Sequence, residues 1–436
     1  MKKQLTIEEK LQNALVPKEE QPYKIPNNWC WTYLTKGMAE CWDKYRKPIN
    51  ATERNKRLGN IPYYGATGQV GWIDDYLTDE HLVLIGEDGA PFLDLLKNKA
   101  YIIKGKSWVN NHAHILKSFY DEVGNKYLCN YLNVFNYKGY INGTTRLKLT
   151  QKNLDIIPIP LPPINEQQRI VNIIESLFIK LDRAKELIEN TLVQFEQNKM
   201  AILHKAFTGE LTAKWRKENN LTLDSWENIC LGKGLFPMKT RKPSGKTFRY
   251  IDIDAIDNKK QIVKEPKVIL TEKAPSRASR AVENDDVLFS MVRPYLKNIA
   301  LIDEKLSDCI ASTGFYVCKC KPNLNAKFLY YLLCFDKTID YLMQFMKGDN
   351  SPSIRKDDLL DMEIKLPTIE EQQEIVNIID RIFIKYDKIK DLQAQIDKIE
   401  LLKKSILAKA FRGELGTNDP NEESAEVLLR KILAEK

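Results

Sequence analysis

Leu161-Pro162-Pro163-Ile164-Asn165-Glu166-Gln167-Gln168 and Leu366-Pro367-Thr368-Ile369-Glu370-Glu371-Gln372-Gln373 are two versions of one segment, about 205 residues apart. Each opens a long run that closes on a second shared motif, Lys205-Ala206-Phe207-Thr208-Gly209-Glu210-Leu211 and Lys409-Ala410-Phe411-Arg412-Gly413-Glu414-Leu415. In the first run, apolar or small residues fall at Ile170, Ile174, Leu177, Leu181, Ala184, Ile188, Thr191, Phe195 and Ile202. The steps alternate four and three, the period of a coiled-coil seam. Asn198 interrupts it, and a buried polar group there predicts a fixed register. The second seam reads Ile375, Ile379, Ile382, Tyr386, Ile389, Leu392, Ile396, Ile399 and Ile406. Its step from Ile389 to Leu392 is three where Ala184 to Ile188 is four, so the second copy lacks one residue and its seam is predicted to overwind. Pro162 and Pro367 mark the starts, Gly209 and Gly413 the stops. Roughly 40 residues at about 1.5 Å each make a helix about 60 Å long. Such a stripe must be covered; the return through a globular domain after each helix makes the two copies pair antiparallel, and the high effective concentration within one chain favours that pair over one between chains.

Around the helices lie two stretches with little mutual likeness. They open alike, with Trp29, Leu34 and Lys36-Gly37 matched by Trp226, Leu231 and Lys233-Gly234. Thr6-Ile7-Glu8-Glu9 reads as a capping box ahead of a short helix. The resulting segmentation is an N-terminal helix and linker (1–24), a first globular domain (25–160), scaffold helix one (161–212), a second globular domain (213–365), scaffold helix two (366–415) and a tail helix (416–436). The predicted fold class is α+β: two globular α/β domains separated by two long antiparallel coiled-coil helices, in a pseudo-twofold repeat.

The chain has 436 residues, a net charge of +8 and 43% hydrophobic residues, which suit a soluble protein of two or three domains with a polyanionic partner. Eight cysteines without a CxxC pair read as thiols of a reducing cytoplasm. No signal peptide or membrane span is read from the sequence. Catalytic patterns fail individually. Ser244-Gly245-Lys246-Thr247 lacks the first glycine of a phosphate loop, with Thr240 in its place, and leads into strand-like Phe248-Arg249-Tyr250-Ile251. His112 and His114 find no third metal ligand at a suitable spacing, so a packing or hydrogen-bonding role is expected. Asp361, Glu363 and Lys365 imitate a nuclease triplet but sit in the lead-in to the second scaffold helix.

Nucleic-acid chemistry is better represented. In the first domain the candidates are Tyr63, Tyr64 and Thr67; Lys106, Trp108, Asn110, Asn111 and His112; and Thr144, Thr145 and Arg146. Aromatic and amide side chains beside glycine suit close approach to bases. Glu87 and Asp88 would be repelled by phosphate, which leaves a cytosine amino group as their plausible DNA contact. In the second domain they are Arg277 and Arg280; Ser290, Arg293, Tyr295, Lys297 and Asn298; Ser312 and Thr313; and Ser353, Arg355 and Lys356. Arginine forks grip guanine edges or phosphates, and hydroxyl and amide donors position a backbone.

The whole chain resembles the specificity subunit of type I restriction–modification systems. The likeness rests on LPPINEQQ and LPTIEEQQ, on the two Lys-Ala-Phe-x-Gly-Glu-Leu closures, and on two dissimilar domains each opening at a tryptophan. IPYYGATGQVG, GEDGA, WVNNHAH, RASR and VRPYLKN are similar to segments of that family's target-recognition domains. The resemblance implies a non-catalytic chain whose two domains each read half of an asymmetric, bipartite site in double-stranded DNA. It also implies partners: two adenine methyltransferase (modification) subunits docked on the helices, joined by restriction/translocase subunits. S-adenosylmethionine, ATP and Mg would belong to those partners, with no cofactor in this chain. The scaffold and docking positions implied are Glu166, Gln167, Ile170, Ile174, Leu181 and Phe207, and Glu371, Gln372, Ile375, Ile379, Tyr386 and Phe411. The alternatives are a recognition module of a methylation-only or nicking system, and a structural coiled coil whose domains bind protein.

Overall fold

The computed structural model describes residues 5–387 and 391–435, without the side chains of 385–391. The seam positions Tyr386 and Ile389, and with them the predicted one-residue step to Leu392, lie outside the described side chains. The chain forms two compact units, one of residues 1–188 with 393–436, the other of 189–392. Each unit therefore takes one half of each scaffold helix.

In the first unit a six-stranded sheet runs in the order Ala39–Cys41, Ala113–Ser118, Thr78–Gly86, Ala100–Val109, Ile61–Gly65, Gly68–Ile73. All its pairs are antiparallel except Ile61–Gly65 with Ala100–Val109, which is parallel. Residues 82–85 are continuously buried because both faces of that strand are covered. On one face Val83, Ile85 and Leu116 pack with Leu128 and Leu132 of helix Asp121–Leu132, in the core that also holds Ile170, Val171, Ile174, Leu407, Ala410 and Phe411. The Phe411 ring stands edge-on to Tyr127 and Tyr131, with centroids 5.1 and 5.0 Å away. Lys185 meets Glu400 at 2.8 Å while Asp182 meets Lys403, so the two half-helices run antiparallel as predicted. The Thr6–Glu9 capping box forms, with reciprocal bonds of 3.2 and 2.8 Å. Its helix, Ile7–Ala14, lies against Ala425–Glu435, and Lys10 Nζ donates to the Leu433 carbonyl at 3.1 Å.

The second unit holds two four-stranded sheets. One runs Leu235–Phe236, Phe315–Cys320, Val287–Ser290, Ile299–Leu301, and the other Lys267–Leu270, Thr247–Ile251, Ile310–Ser312, Ala278–Ala281. Helix Ala326–Cys334 buries Phe328, Leu329 and Leu332 in a core shared with Leu203, Ala206, Ile375, Val376 and Ile379. Thr247–Ile251 is the strand expected in place of a phosphate-loop helix, and Glu363–Leu366 pairs with Glu227–Cys230 at the base of the scaffold helix.

The first scaffold helix is continuous over Ile164–Phe207; the second is described as Ile369–Asp387 and Asp391–Phe411. Ile170, Ile174, Ile375 and Ile379 are buried, but Leu177, Leu181, Ala184, Ile188, Phe195 and Ile202 are only half-buried. The fully buried positions are those that meet a domain core as well as the other helix. Two seam readings need correction. Thr191 and Asn198 are exposed, so Asn198 fixes no buried register, and Leu203 and Ala206 are buried instead. A straight α-helix drifts about 20° per heptad from a 3.5-residue repeat. After four heptads the drift approaches the roughly 100° between neighbours, which moves the seam from Ile202 to Leu203.

The duplicated Glu-Gln pairs lie inside the protein. Glu166 is fully buried and accepts from Trp29 Nε1 at 2.7 Å, Thr417 Oγ1 at 3.1 Å and Asn418 Nδ2 at 2.9 Å. Glu371 accepts from Trp226 Nε1 at 2.9 Å, Thr212 Oγ1 at 2.6 Å and Arg216 Nη1 at 2.5 Å. Each glutamate thus ties its own domain's opening tryptophan to the segment that closes the other copy's helix. Burying a carboxylate is costly unless it is fully hydrogen-bonded, and both are. Gln167 and Gln372 donate to the Pro162 and Pro367 carbonyls at 3.1 and 2.9 Å. Among the predicted docking positions Glu166, Gln167, Glu371, Gln372, Ile170, Ile174, Ile375, Ile379 and Phe411 are interior and present no docking surface. Phe207 is half-buried against Phe328 and Phe335, both 5.4 Å away. No helix among the described residues is long and apolar enough to cross a membrane.

Candidate nucleic-acid interface

In the first unit, loops that are distant in sequence meet at one end of the six-stranded sheet. The Gly65–Gly68 turn approaches Gly86, where a β-carbon would fall 2.9 Å from the Ala66 carbonyl, and the Asn110 amide donates to the Tyr64 carbonyl at 3.0 Å. Glu87 N donates to the His112 carbonyl at 2.7 Å, and Gly89 N to the Leu147 carbonyl at 3.1 Å. Asn142 and Lys148 exchange amide–carbonyl bonds of 2.9 and 2.8 Å, closing a hairpin that carries Thr144, Thr145 and Arg146. On this frame Asp88 Oδ1 accepts from Arg146 Nη2 at 2.8 Å and lies 2.7 Å from His112 Nδ1. The Asp88 side chain is 18% exposed and that of Arg146 is 61% exposed, so the cation is offered to solvent and the anion braces it from below.

Beneath lies a denser ion cluster. Glu87 pairs with Arg46 and, at 3.0 Å, with Lys148; Asp43 meets Arg46 at 2.8 Å and His114 at 2.6 Å. Burial pushes the Glu87 carboxyl up, but Arg46, Lys148 and His114 outweigh it and hold it below its usual range. Asp43 is held low in the same way, its burial outweighed by His114, the Ile115 amide and Arg46. The second nitrogen of His114 sits 2.8 Å from the Leu149 carbonyl, so both are engaged. Cys41, Asp43 and His114 are close enough to hold an ion. However, both ring nitrogens of His114 and the Asp43 carboxylate are already taken by protein partners, and these groups fit a hydrogen-bonded cluster better than a metal centre. With its charge consumed internally, Glu87 has little left to offer the cytosine amino group, the one DNA contact the sequence left open to it.

The second unit repeats the frame with different side chains. Met291 N donates to the Gly314 carbonyl at 2.9 Å, Arg293 N to the Pro352 carbonyl at 2.8 Å, and Ile354 N to the Met291 carbonyl at 3.0 Å. Lys347 and Ser353 exchange bonds of 3.0 and 2.9 Å. These match, position for position, Glu87–His112, Gly89–Leu147, Leu149–Glu87 (2.7 Å) and Asn142–Lys148 of the first unit. Even the hairpin glycines agree, with φ of 97° at Gly143 and 101° at Gly348. Thr313 N reaches the Arg277 carbonyl at 2.8 Å, which brings in the Arg277 loop. Arg293 and Lys297 hold left-handed backbone, φ 49° and 51°, at roughly 1–3 kcal/mol each, strain of the kind that collects at functional loops.

The predicted contact residues divide by exposure. Thr67, Asn111, Thr144, Thr145, Arg146, Arg277, Arg293, Tyr295, Thr313, Arg355 and Lys356 are exposed; Tyr64, His112, Arg280, Lys297 and Ser353 are half-buried. Lys297 is paired with Asp336, and Lys106 is exposed but pairs across from Asp79, towards the far end of the strand that finishes at Gly86. Six readings are corrected. Tyr63, Trp108, Asn110, Ser290, Asn298 and Ser312 are all under 9% exposed. The Tyr63 hydroxyl is bonded to Ile49, Trp108 Nε1 donates to the Lys47 carbonyl at 2.7 Å, and Ser290 Oγ donates to the Val292 carbonyl at 2.8 Å. Asn110 accepts from the His112 amide at 2.8 Å. Their donors and acceptors shape the loops from within. Asp43, Arg46, Lys148 and Asn350 were not anticipated, since nothing in the sequence joins Arg46 to a carboxylate 41 residues away.

Comparison with known proteins agrees with this architecture. The family model described as the type I restriction modification DNA specificity domain matches residues 32–192 and 228–398. The EcoDI specificity subunit of Escherichia coli is 23% identical over 422 residues, 87% of this chain and 89% of its own length. A Haemophilus influenzae chain named as a type I restriction enzyme specificity subunit, S.HindORF215P, is 36% identical over 140 residues, 32% of this chain and 35% of that relative. One chain of a solved type I R-M system has a TM-score of 0.65 at 18% identity, covering 90% of this chain and 100% of its own, which shows a shared fold. The chain belongs to the type I restriction modification DNA specificity family and is a DNA sequence-specificity subunit of a type I system.

Proposed function

We propose that this specificity subunit reads a bipartite, asymmetric site in double-stranded DNA, one half through each recognition domain, 25–160 and 213–365. The supporting observation is that both units build the same loop frame and fill it with unlike side chains. One backbone solution carrying two side-chain sets is suited to two different base sequences. The scaffold helices hold the two readers in register and dock two adenine methyltransferase subunits, with restriction/translocase subunits joining the larger assembly. Methyl transfer and ATP hydrolysis belong to those partners. Each base pair discriminated contributes roughly 1–3 kcal/mol, so two linked readers multiply their selectivity.

Methylation mapping in a host carrying this chain with its modification partner tests the reading. The expected motif has two unlike half-sites of about three to five base pairs around an unread spacer, placed near one helical turn apart. A continuous or palindromic motif would overturn it.

A further inference from the structure

Both loop frames carry one arginine at the same place, delivered from opposite sides. In the first unit the left-handed position is Gly89, φ 72°, and the guanidinium comes from the hairpin: Arg146 Nε lies 3.6 Å from where a β-carbon on Gly89 would be. In the second unit the left-handed position is Arg293 itself, and the hairpin holds Ser351 where the first has Arg146. Arg293 reaches the other way, Nη2 donating to the Asn350 carbonyl at 2.8 Å. Where one frame has glycine the other has arginine, and where one has arginine the other has serine. Two unrelated loop sequences thus converge on a single guanidinium set between the same two backbone segments.

We propose that Arg146 and Arg293 are equivalent specificity determinants, each reading the edge of a guanine in its own half-site. The inference rests on the bipartite reading above and deepens it. Each arginine is exposed and tethered through Nη2 to one protein oxygen, Asp88 Oδ1 or the Asn350 carbonyl. A tether of that kind fixes the plane of the fork and leaves its other donors for a ligand. The guanine major-groove edge offers O6 and N7, a pair of acceptors matched to that fork. A phosphate is the competing ligand. In the first unit it would meet the Asp88 carboxylate 2.8 Å from Arg146, whereas a base edge carries no net charge to be repelled. The partner of Arg293 is a neutral carbonyl, so there the assignment rests on equivalence of place. Asp88 is a positioning residue and Arg146 the contact.

The test is methylation mapping of the full-length chain with its modification partner, for the wild type and for Arg146→Ala, Arg146→Gln, Arg293→Ala and Arg293→Gln. Each arginine variant is expected to lose discrimination at one G·C pair, in a different half-site for the two arginines, with the other half read normally. Selectivity at that pair falls about tenfold or more, and the glutamine variants gain tolerance for adenine, whose edge an amide matches. If a variant abolishes methylation, binding of the purified complex to duplexes with each base pair of the mapped site changed in turn becomes the readout. A penalty lost at one G·C pair alone supports the assignment; an unchanged penalty profile overturns it. The assignment also fails if a variant lowers methylation at every site without altering the motif, if one variant alters both halves, or if a wild-type half-site contains no G·C pair. A continuous wild-type motif would instead remove the bipartite reading beneath it.

Discussion

Glu166 and Glu371 occupy the same place in their copies but differ in what neutralises them. Glu371 faces the buried Arg216, whose guanidinium also stacks over Trp226 at 5.7 Å; Glu166 is held by the neutral donors Trp29, Thr417 and Asn418. Removing the first carboxylate leaves a buried cation unpaired, at about 3–5 kcal/mol. Both losses also leave neutral donors unsatisfied at about 1–3 kcal/mol each, on Trp226 and Thr212 for Glu371 and on Trp29, Thr417 and Asn418 for Glu166, so the unpaired cation is what sets the two apart. Glu371→Ala is therefore expected to lower stability in urea unfolding more than Glu166→Ala, and equal losses would show that Arg216 is not the deciding partner. Asp286 supplies a pH signature. Burial, chiefly, raises its carboxyl from 3.8 to about 6. The folded state then holds a proton that the unfolded chain releases, so its contribution is complete below pH 3.8 and lost as pH rises through about 6. Asp286→Asn should flatten that part of the stability–pH profile, and an unchanged slope would exclude Asp286 as its source.

At the level of elements, the scaffold helices were the most legible part of the sequence. Their starts and stops follow from a 4–3 apolar pattern and two proline–glycine brackets, and their antiparallel pairing from the globular domain that returns the chain between them. What the pattern concealed was angular drift: a 3.5-residue template fitted over 44 residues assigned Asn198 to the seam, and the helix turned it out to solvent. Asn198→Leu is accordingly expected to change stability by no more than about 0.5 kcal/mol, as for an ordinary surface position. Ile174→Asp and Ile379→Asp, each placing a carboxylate where exposure is at most 1%, should cost several kcal/mol and abolish reading of both half-sites together. Retention of either half after Ile174→Asp would show that the helices do not couple the readers. The loops were legible as regions only. The candidate stretches came from clusters of aromatic, glycine, arginine and hydroxyl residues, and the structure gathers most of them around the two frames. Which side chains face outward was not legible, because Tyr63 or Ser290 resembles a base contact in sequence and becomes loop support once its hydroxyl finds a backbone partner.

At the scale of the whole molecule, a net charge of +8 and exposed arginines in both frames predict binding to duplex DNA that weakens steeply with salt. Titrating the intact complex against unmodified duplex between about 50 and 200 mM salt should give a linear fall of log affinity on log salt. A salt-independent affinity would favour the protein-binding scaffold instead. The shared loop frame has a further consequence. Its bonds run between main-chain groups, so exchanging a side chain at Gly89, Arg146, Arg293 or Ser351 leaves them in place apart from the strain of left-handed backbone. Most mutations are limited by the stability they remove, but on the proposed reading of these positions the target sequence is decoupled from foldedness. Such a chain can drift to a new recognition sequence by single substitutions without first becoming a less stable protein.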